Sequence, residues 1–222
     1  MTSALTEQTL GSLACQIPGA TRVFRQYKLD FCCGGNTRLL DAAAHHALDA
    51  QLIASELAAL GSETDALADW REAPAGELID HILERYHEGH REQFPELIQL
   101  ATRVEHVHGN KPDCPLGLAE HLWSMQQELE SHMLKEEQIL FPMIRRGLRV
   151  PQEQGPIAVM RFEHEQHGAA LDRLAALAND IVPPANACNT WRALYRGLEA
   201  LRDDLMQHIH LENNILFVKA SQ

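Results

Sequence analysis

The chain has 222 residues, enough to bury a proper core in one large domain or in a small domain plus a medium one. Its 31 acidic and 19 basic residues leave a formal charge of -12, which excludes nucleic acid and anionic membrane as main partners because both need a basic footprint. No apolar run approaches the roughly 18–20 residues that cross a bilayer, and the N-terminus lacks the basic start and apolar stretch of a secretory signal, so a cytoplasmic protein is expected.

Leu, Ala, Glu, Gln and Arg fill most of the chain with apolar residues at i, i+3 and i+4, and alternating strand patterns are absent, so the fold is expected to be all-α. Several short helices come first, broken at Pro18–Gly19, at Cys32–Cys33–Gly34–Gly35 and at Gly61–Ser62. They read as a small N-terminal helical domain over 1–72, with a polar linker around 61–65. Residues 73–222 then read as four long helices at roughly 75–107, 115–147, 155–179 and 187–219. The short Gly- and Pro-bearing connections between them favour an antiparallel up-down-up-down bundle. Pro95 is expected to kink the first helix or mark a local break.

Within that bundle one pattern occurs twice. His132 is followed by Glu136 and then Leu140–Phe141, and His208 is followed by Glu212 and then Leu216–Phe217. Upstream of each copy stands another His, His87 and His164. On a helix, residues four apart share a face and lie about 6 Å apart along the axis, so each copy offers an imidazole and a carboxylate to one spot. Counting from the connections at about 1.5 Å per residue puts all four His within about two turns of one level. Four His and two Glu, with no Cys, suit a borderline metal that accepts mixed nitrogen and oxygen ligands. A carboxylate can bridge two metals, and bundles with inward Glu and His are known to hold di-iron and di-manganese centres. Glu136 and Glu212 are the natural bridging pair.

His108 lies 21 residues beyond His87, about 31 Å along an unbroken helix, and is left out of the ligand set. Glu128, Glu163 and His167 stand beside the ligands, either as partners that fix imidazole orientation or as solvated groups. His90, His106, His121 and His210 have no partner that singles them out.

The five Cys, an odd number with one adjacent pair, fit reduced thiols better than a secreted disulfide framework. Cys32 and Cys33 precede Gly34–Gly35 and then Asn36–Thr37, which reads as a helix start; thiols at a helix N-terminus have a lowered pKa. The pair can form a vicinal disulfide, hand over a metal, or bind nitric oxide or iron transiently. The alternative is that the Gly pair makes a turn and the Cys pack beside it. Cys15, Cys114 and Cys188 read as packing residues.

Arg85–Tyr86–His87, His132 to Pro142, Glu163–His164 and His208 to Phe217 resemble the hemerythrin-like domain of the Repair of Iron Centres family. Tyr27 to Gly35 looks like that family's N-terminal domain. One departure is Val218, where relatives usually carry Pro after the Phe. The resemblance implies two iron ions, oxo- and carboxylate-bridged, held by His87, His132, Glu136, His164, His208 and Glu212. It implies a homodimer that restores iron-sulfur clusters damaged by nitric oxide or oxidants, with Cys32 and Cys33 in transfer or redox steps. Its partners would be the damaged iron-sulfur proteins, with nitric oxide or O2 as small ligands. Two other readings stay open: a di-iron nitric oxide reductase producing nitrous oxide, and an O2 or iron sensor or carrier. The Cys pair argues against a plain O2 carrier, which has no use for a second unit with reactive thiols.

Overall fold

The computed structural model describes residues 2–60 and 70–222, and among them every regular element is helical. The linker expected around 61–65 lies outside the described residues. The N-terminal unit comprises α1 (Thr2–Thr6), α2 (Leu10–Gln16), α3 (Ala20–Gln26), α4 (Leu39–His45) and α5 (Ala50–Leu60). Local chemistry sets these ends. The Thr9 hydroxyl accepts the Ser12 N–H at 3.3 Å to cap α2, and Gly19 takes the left-handed φ of 83° that leads into α3.

The bundle has four rods. The first runs from α6 (Ala75–Ile82) through a π-helical segment, Leu83–His87, into α7 (Glu88–His108). The second is α8 (Leu118–Lys135), a π segment at Glu136–Leu140, and α9 (Phe141–Arg145). The third is α10 (Pro156–Leu177), started by Pro at its first position. The fourth is α11 (Asn189–Leu211), a π segment at Glu212–Leu216, and α12 (Phe217–Ala220). Rods one and two pack together, as do two and three, three and four, and four and one, which closes the bundle.

Pro95 does not end the first rod; α7 continues through it. A Pro removes only the one bond to the carbonyl four residues back, and tight packing of Phe94 and Leu97 holds the remainder. The departure from α geometry comes earlier, at Leu83–His87.

Helical periodicity puts one stripe of each rod inside. On α8 the buried stripe is Leu118, Leu122, Met125, Leu129 and Met133; on α11 it includes Trp191, Leu194, Leu198, Leu201 and Leu205. Each such side chain contributes about 1.5–3 kcal/mol by leaving water. These residues form one contiguous core with Leu10, Phe24, Phe31 and Leu57 of the N-terminal unit. A second core of Ile79, Ile82, Leu140, Phe141, Leu211, Leu216 and Phe217 lies at the other end of the bundle. A buried polar layer separates the two.

The N-terminal unit is seated on the fourth rod by Asn214, whose Nδ2 donates to the Phe31 carbonyl at 3.1 Å. Gly35 makes room for it: a Cβ there would lie 2.6 Å from Asn214 Oδ1 and 3.0 Å from the Phe31 carbonyl. Gly35→Ala is therefore expected to destabilise the chain by about 1–3 kcal/mol, the usual range for overpacking. Urea denaturation followed by circular dichroism reads this, and an unshifted midpoint would show that the docking surface yields at no cost.

Candidate metal centre

The polar layer is made by the repeat. His87, His132, Glu136, His164, His208 and Glu212 are all between 0% and 1% exposed, on four different rods. They fall into two groups, His87–Glu136–His208–Glu212 and His132–Glu136–His164–Glu212, each with its ligand atoms within 4.8 Å of one another. Both glutamates belong to both groups. Glu212 Oε1 lies 3.2 Å from His208 Nε2 and Oε2 lies 3.1 Å from His164 Nε2; Glu136 Oε2 lies 3.4 Å from the Nε2 atoms of His87 and His132.

Three wide turns present these groups. His87 closes the first π segment, and Glu136 and Glu212 open the other two. In each, an N–H reaches back five residues: Glu88 to Leu83, Phe141 to Glu136 and Phe217 to Glu212. A π turn inserts one residue and re-aims the side chains around it, a device common at functional sites. The Leu–Phe that ends each repeat now has a role. Phe141 packs on the His87 ring at 5.7 Å, and Phe217 stacks flat on His164 at 5.8 Å.

Outer partners fix three of the rings. His87 Nδ1 meets Glu137 Oε1 at 2.8 Å, His132 Nδ1 meets Glu163 Oε2 at 2.9 Å, and His164 Nδ1 meets Asn213 Oδ1 at 2.9 Å. Asn213 is oriented by its other end, where Nδ2 donates to the Cys32 carbonyl at 3.1 Å. Each of these oxygens accepts, so each Nδ1 carries the proton and each Nε2 keeps its lone pair. Sequence alone does not single out Glu137 and Asn213. The signal was available, because each directly follows the repeat glutamate.

This donor set fits a cation. The Nε2 atoms of His132 and His164 are 3.1 Å apart with both protons committed to Nδ1, so two lone pairs face each other. Among the described residues, His87 Nε2, both oxygens of Glu136 and Glu212 Oε2 are buried without a hydrogen-bond partner, an arrangement too costly to keep unless something binds there. Burial, together with the facing Glu212, pushes the Glu136 carboxyl well above its ordinary range. Burial acts on Glu212 in the same direction, but His208 and His164 outweigh it and hold that carboxyl well below. Burial, and after it the neighbouring His208, lower His87 to about 4. Neutral imidazoles and shared carboxylates suit iron-like ions.

Comparison with known proteins agrees. Residues 78–220 match the family described as Hemerythrin HHE cation binding domain, and residues 6–61 match a Domain of Unknown function, DUF542. The chain is 54% identical over 217 residues to a protein of Cronobacter sakazakii, covering 98% of this chain and 97% of that one. It is 52% identical to relatives from Dickeya chrysanthemi, over 96% of both chains, and from Escherichia coli O17:K52:H18, over 98% of both. All three are named Iron-sulfur cluster repair protein YtfE. The chain belongs to the YtfE family.

In this YtfE-family chain the hemerythrin match and the buried His–Glu groups fit a non-haem iron centre. The structure brings all six expected ligand residues together. It leaves His108 at the far end of α7, stacked on Trp191 at 5.1 Å. No described helix is long and apolar enough to cross a membrane.

The Cys pair lies against the same layer. Cys33 Sγ donates to the carbonyl of His164 at 3.3 Å, and Cys32 Sγ donates to Asp30 Oδ1 at 3.2 Å. The helix-start expectation is corrected here. The pair precedes no helix N-terminus, because α4 begins only at Leu39 with Arg38 as its cap. The loop is instead closed by Asp30, which accepts the N–H groups of Cys32, Cys33 and Gly34 at 3.1, 2.9 and 2.9 Å. The Cys32 thiol is accordingly raised well above its usual pKa, by its hydrogen bond to Cys33, by burial and by Asp30, rather than lowered. The sulfurs stand 3.9 Å apart as thiols. Asp30, Cys32 and Cys33 also cluster within 4.8 Å, but the loop N–H groups already occupy the Asp30 oxygens.

Proposed function

We propose that this chain repairs damaged iron-sulfur clusters, using a centre of two irons bridged by Glu136 and Glu212. One iron would be held by His87 and His208, the other by His132 and His164. The observation that carries this is the pair of donor groups sharing both glutamates, in a chain 52% identical over nearly its whole length to proteins named for that repair. When bound, the irons would supply redox and Lewis-acid chemistry toward small ligands such as nitric oxide or O2.

The chain's own residues define what surrounds such a centre. Six side chains give fewer donors than two octahedral ions require, which leaves positions for a small ligand. Glu137, Glu163 and Asn213 hold the Nδ1 protons and keep Nε2 aimed inward. The apolar cores above and below exclude bulk water. With no thiolate among the ligands, the metal is held by groups that protonation can release. Cys32 and Cys33 would act in transfer, one hydrogen bond from the backbone of a ligand. On this reading residues 1–72 carry the thiols and 73–222 carry the metal, in a cytoplasmic homodimer whose partners are the damaged cluster proteins.

The test is recovery of a nitric-oxide-inactivated [4Fe–4S] dehydratase on adding the iron-loaded chain with a thiol reductant. Activity should return with wild-type protein, fail with the Glu136→Ala/Glu212→Ala variant, and slow markedly with Cys32→Ser/Cys33→Ser. Consumption of nitric oxide to nitrous oxide with no recovery of the dehydratase would replace repair by reduction as the function.

A further inference from the structure

A metal-bound imidazole normally gives its outer N–H to an acceptor, and three of the four candidate ligands do so through Glu137, Glu163 and Asn213. His208 is the exception. Its Nε2 faces Glu212, while its Nδ1 is buried with no partner among the described residues. As a ligand through Nε2 it would carry its proton on that orphaned atom.

His90 has the complementary deficit. Its Nδ1 lies 3.2 Å from Gln93 Oε1. The Gln93 amide is oriented by its own donor, since Nε2 donates to Asp204 Oδ2 at 2.7 Å. Oε1 therefore faces His90 and accepts, which puts the His90 proton on Nδ1 and a lone pair on Nε2. That Nε2 is also buried without a partner among the described residues. The two rings are 5.4 Å apart, inclined at 31°. A buried donor lacking an acceptor and a buried acceptor lacking a donor thus sit on neighbouring rings, near enough for one buried water to join them.

We propose that His90 is the positioning residue of His208, one buried water accepting from His208 Nδ1 and donating to His90 Nε2. This rests on the reading of His208 as a ligand. The relay then runs Asp204, Gln93, His90, His208, and its outer end is tied to the surface by Arg85, 2.6 Å from Asp204. A neutral imidazole withdraws the Nδ1 proton less than a carboxylate does, so His208 is a weaker donor than His87 or His132, each backed by Glu. The matched position in the other half, His167, lies three residues after His164 and 5.0 Å from the His132 ring. His132 already has Glu163, so the same argument gives His167 no such role.

The experiment uses the full chain loaded with Co(II), whose paramagnetism resolves the exchangeable imidazole N–H protons of ligands by proton NMR. One such signal is expected per ligand His. His90→Ala should lose the His208 signal to rapid solvent exchange and weaken one of the two cobalt affinities by about 10–100-fold. His90→Gln, which again offers an acceptor, should recover much of both; His167→Ala should lose no signal. Gln93→Leu, half-buried and off the metal, frees the His90 tautomer and should broaden the same signal even where His90→Ala folds poorly. Unchanged signals and affinities in His90→Ala, or in Gln93→Leu where His90→Ala does not fold, overturn the proposal. A wild-type chain that binds no cobalt overturns the metal reading itself, which keeps the two failures apart.

Discussion

Replacing Glu136 and Glu212 together by alanine empties the bundle of metal. Iron content, about two per chain on the bridging reading, falls to near zero in the variant. Both glutamates serve both donor groups, so their loss leaves two neutral imidazoles per position and no charge to balance a cation. The fold responds in the opposite sense from the metal. Glu136 is fully buried with neither oxygen hydrogen-bonded among the described residues, and an ion so placed costs several kcal/mol of desolvation. Removing it relieves that cost and leaves a cavity that offsets part of the gain. The metal-free double variant is therefore expected within about 2 kcal/mol of the metal-free wild type. Elemental analysis and urea denaturation, run on the same preparations, check both halves. Iron retained at wild-type level would remove the bridging carboxylates from the account; iron lost only because the variant unfolds would leave them undecided by composition and decided by the denaturation curve.

Acidification unfolds the metal-free protein well above the pH at which carboxylates protonate. His90 and His167 are lowered to about 3 and His210 to about 4, in each case first by burial. All three sit far below the 6.5 of an unfolded His. The unfolded chain therefore takes up protons that the folded chain refuses, and stability falls as pH drops below about 6.5. Above that pH the contribution is complete. Below it each His costs about 1.4 kcal/mol per pH unit until its folded pKa is reached, so the three together cost about 4 kcal/mol per unit. Two such units cost about 8 kcal/mol, which takes up most of an ordinary total stability of about 5–15 kcal/mol. Denaturant midpoints at pH 7, 6 and 5 should fall steeply in that order. A flat profile would mean that these rings find proton acceptors on charging.

The buried histidines also mark how far the sequence could be read. The six buried candidate donors were legible because a helix repeats its faces every three to four residues, so a His and a Glu four apart, twice over, point to one place each. The all-helical class and the four rods followed from the same periodicity. His90 and His210 share that periodicity but carry no repeated partner, and nothing in the linear spacing separates a buried ring from an exposed one.

What remained was decided between rods. The sequence by itself determined which His and Glu side chains form the buried polar layer and which helix presents each, because those are local properties of pitch and spacing. Only the tertiary structure decided that Glu137, Glu163 and Asn213 lock the imidazole tautomers, since each reaches a ring on another rod, 31 to 50 residues away. It also decided the state of Cys32. Read locally, that thiol stood before a helix start and should have been acidified. In the fold Asp30 closes the loop beneath it and its thiol is buried, and both effects favour the proton. The π turns at Leu83–His87, Glu136–Leu140 and Glu212–Leu216 belong to the same class of outcome. A wide turn is less favourable than an α turn by itself and persists where packing across the bundle, here Phe141 on His87 and Phe217 on His164, over-determines it.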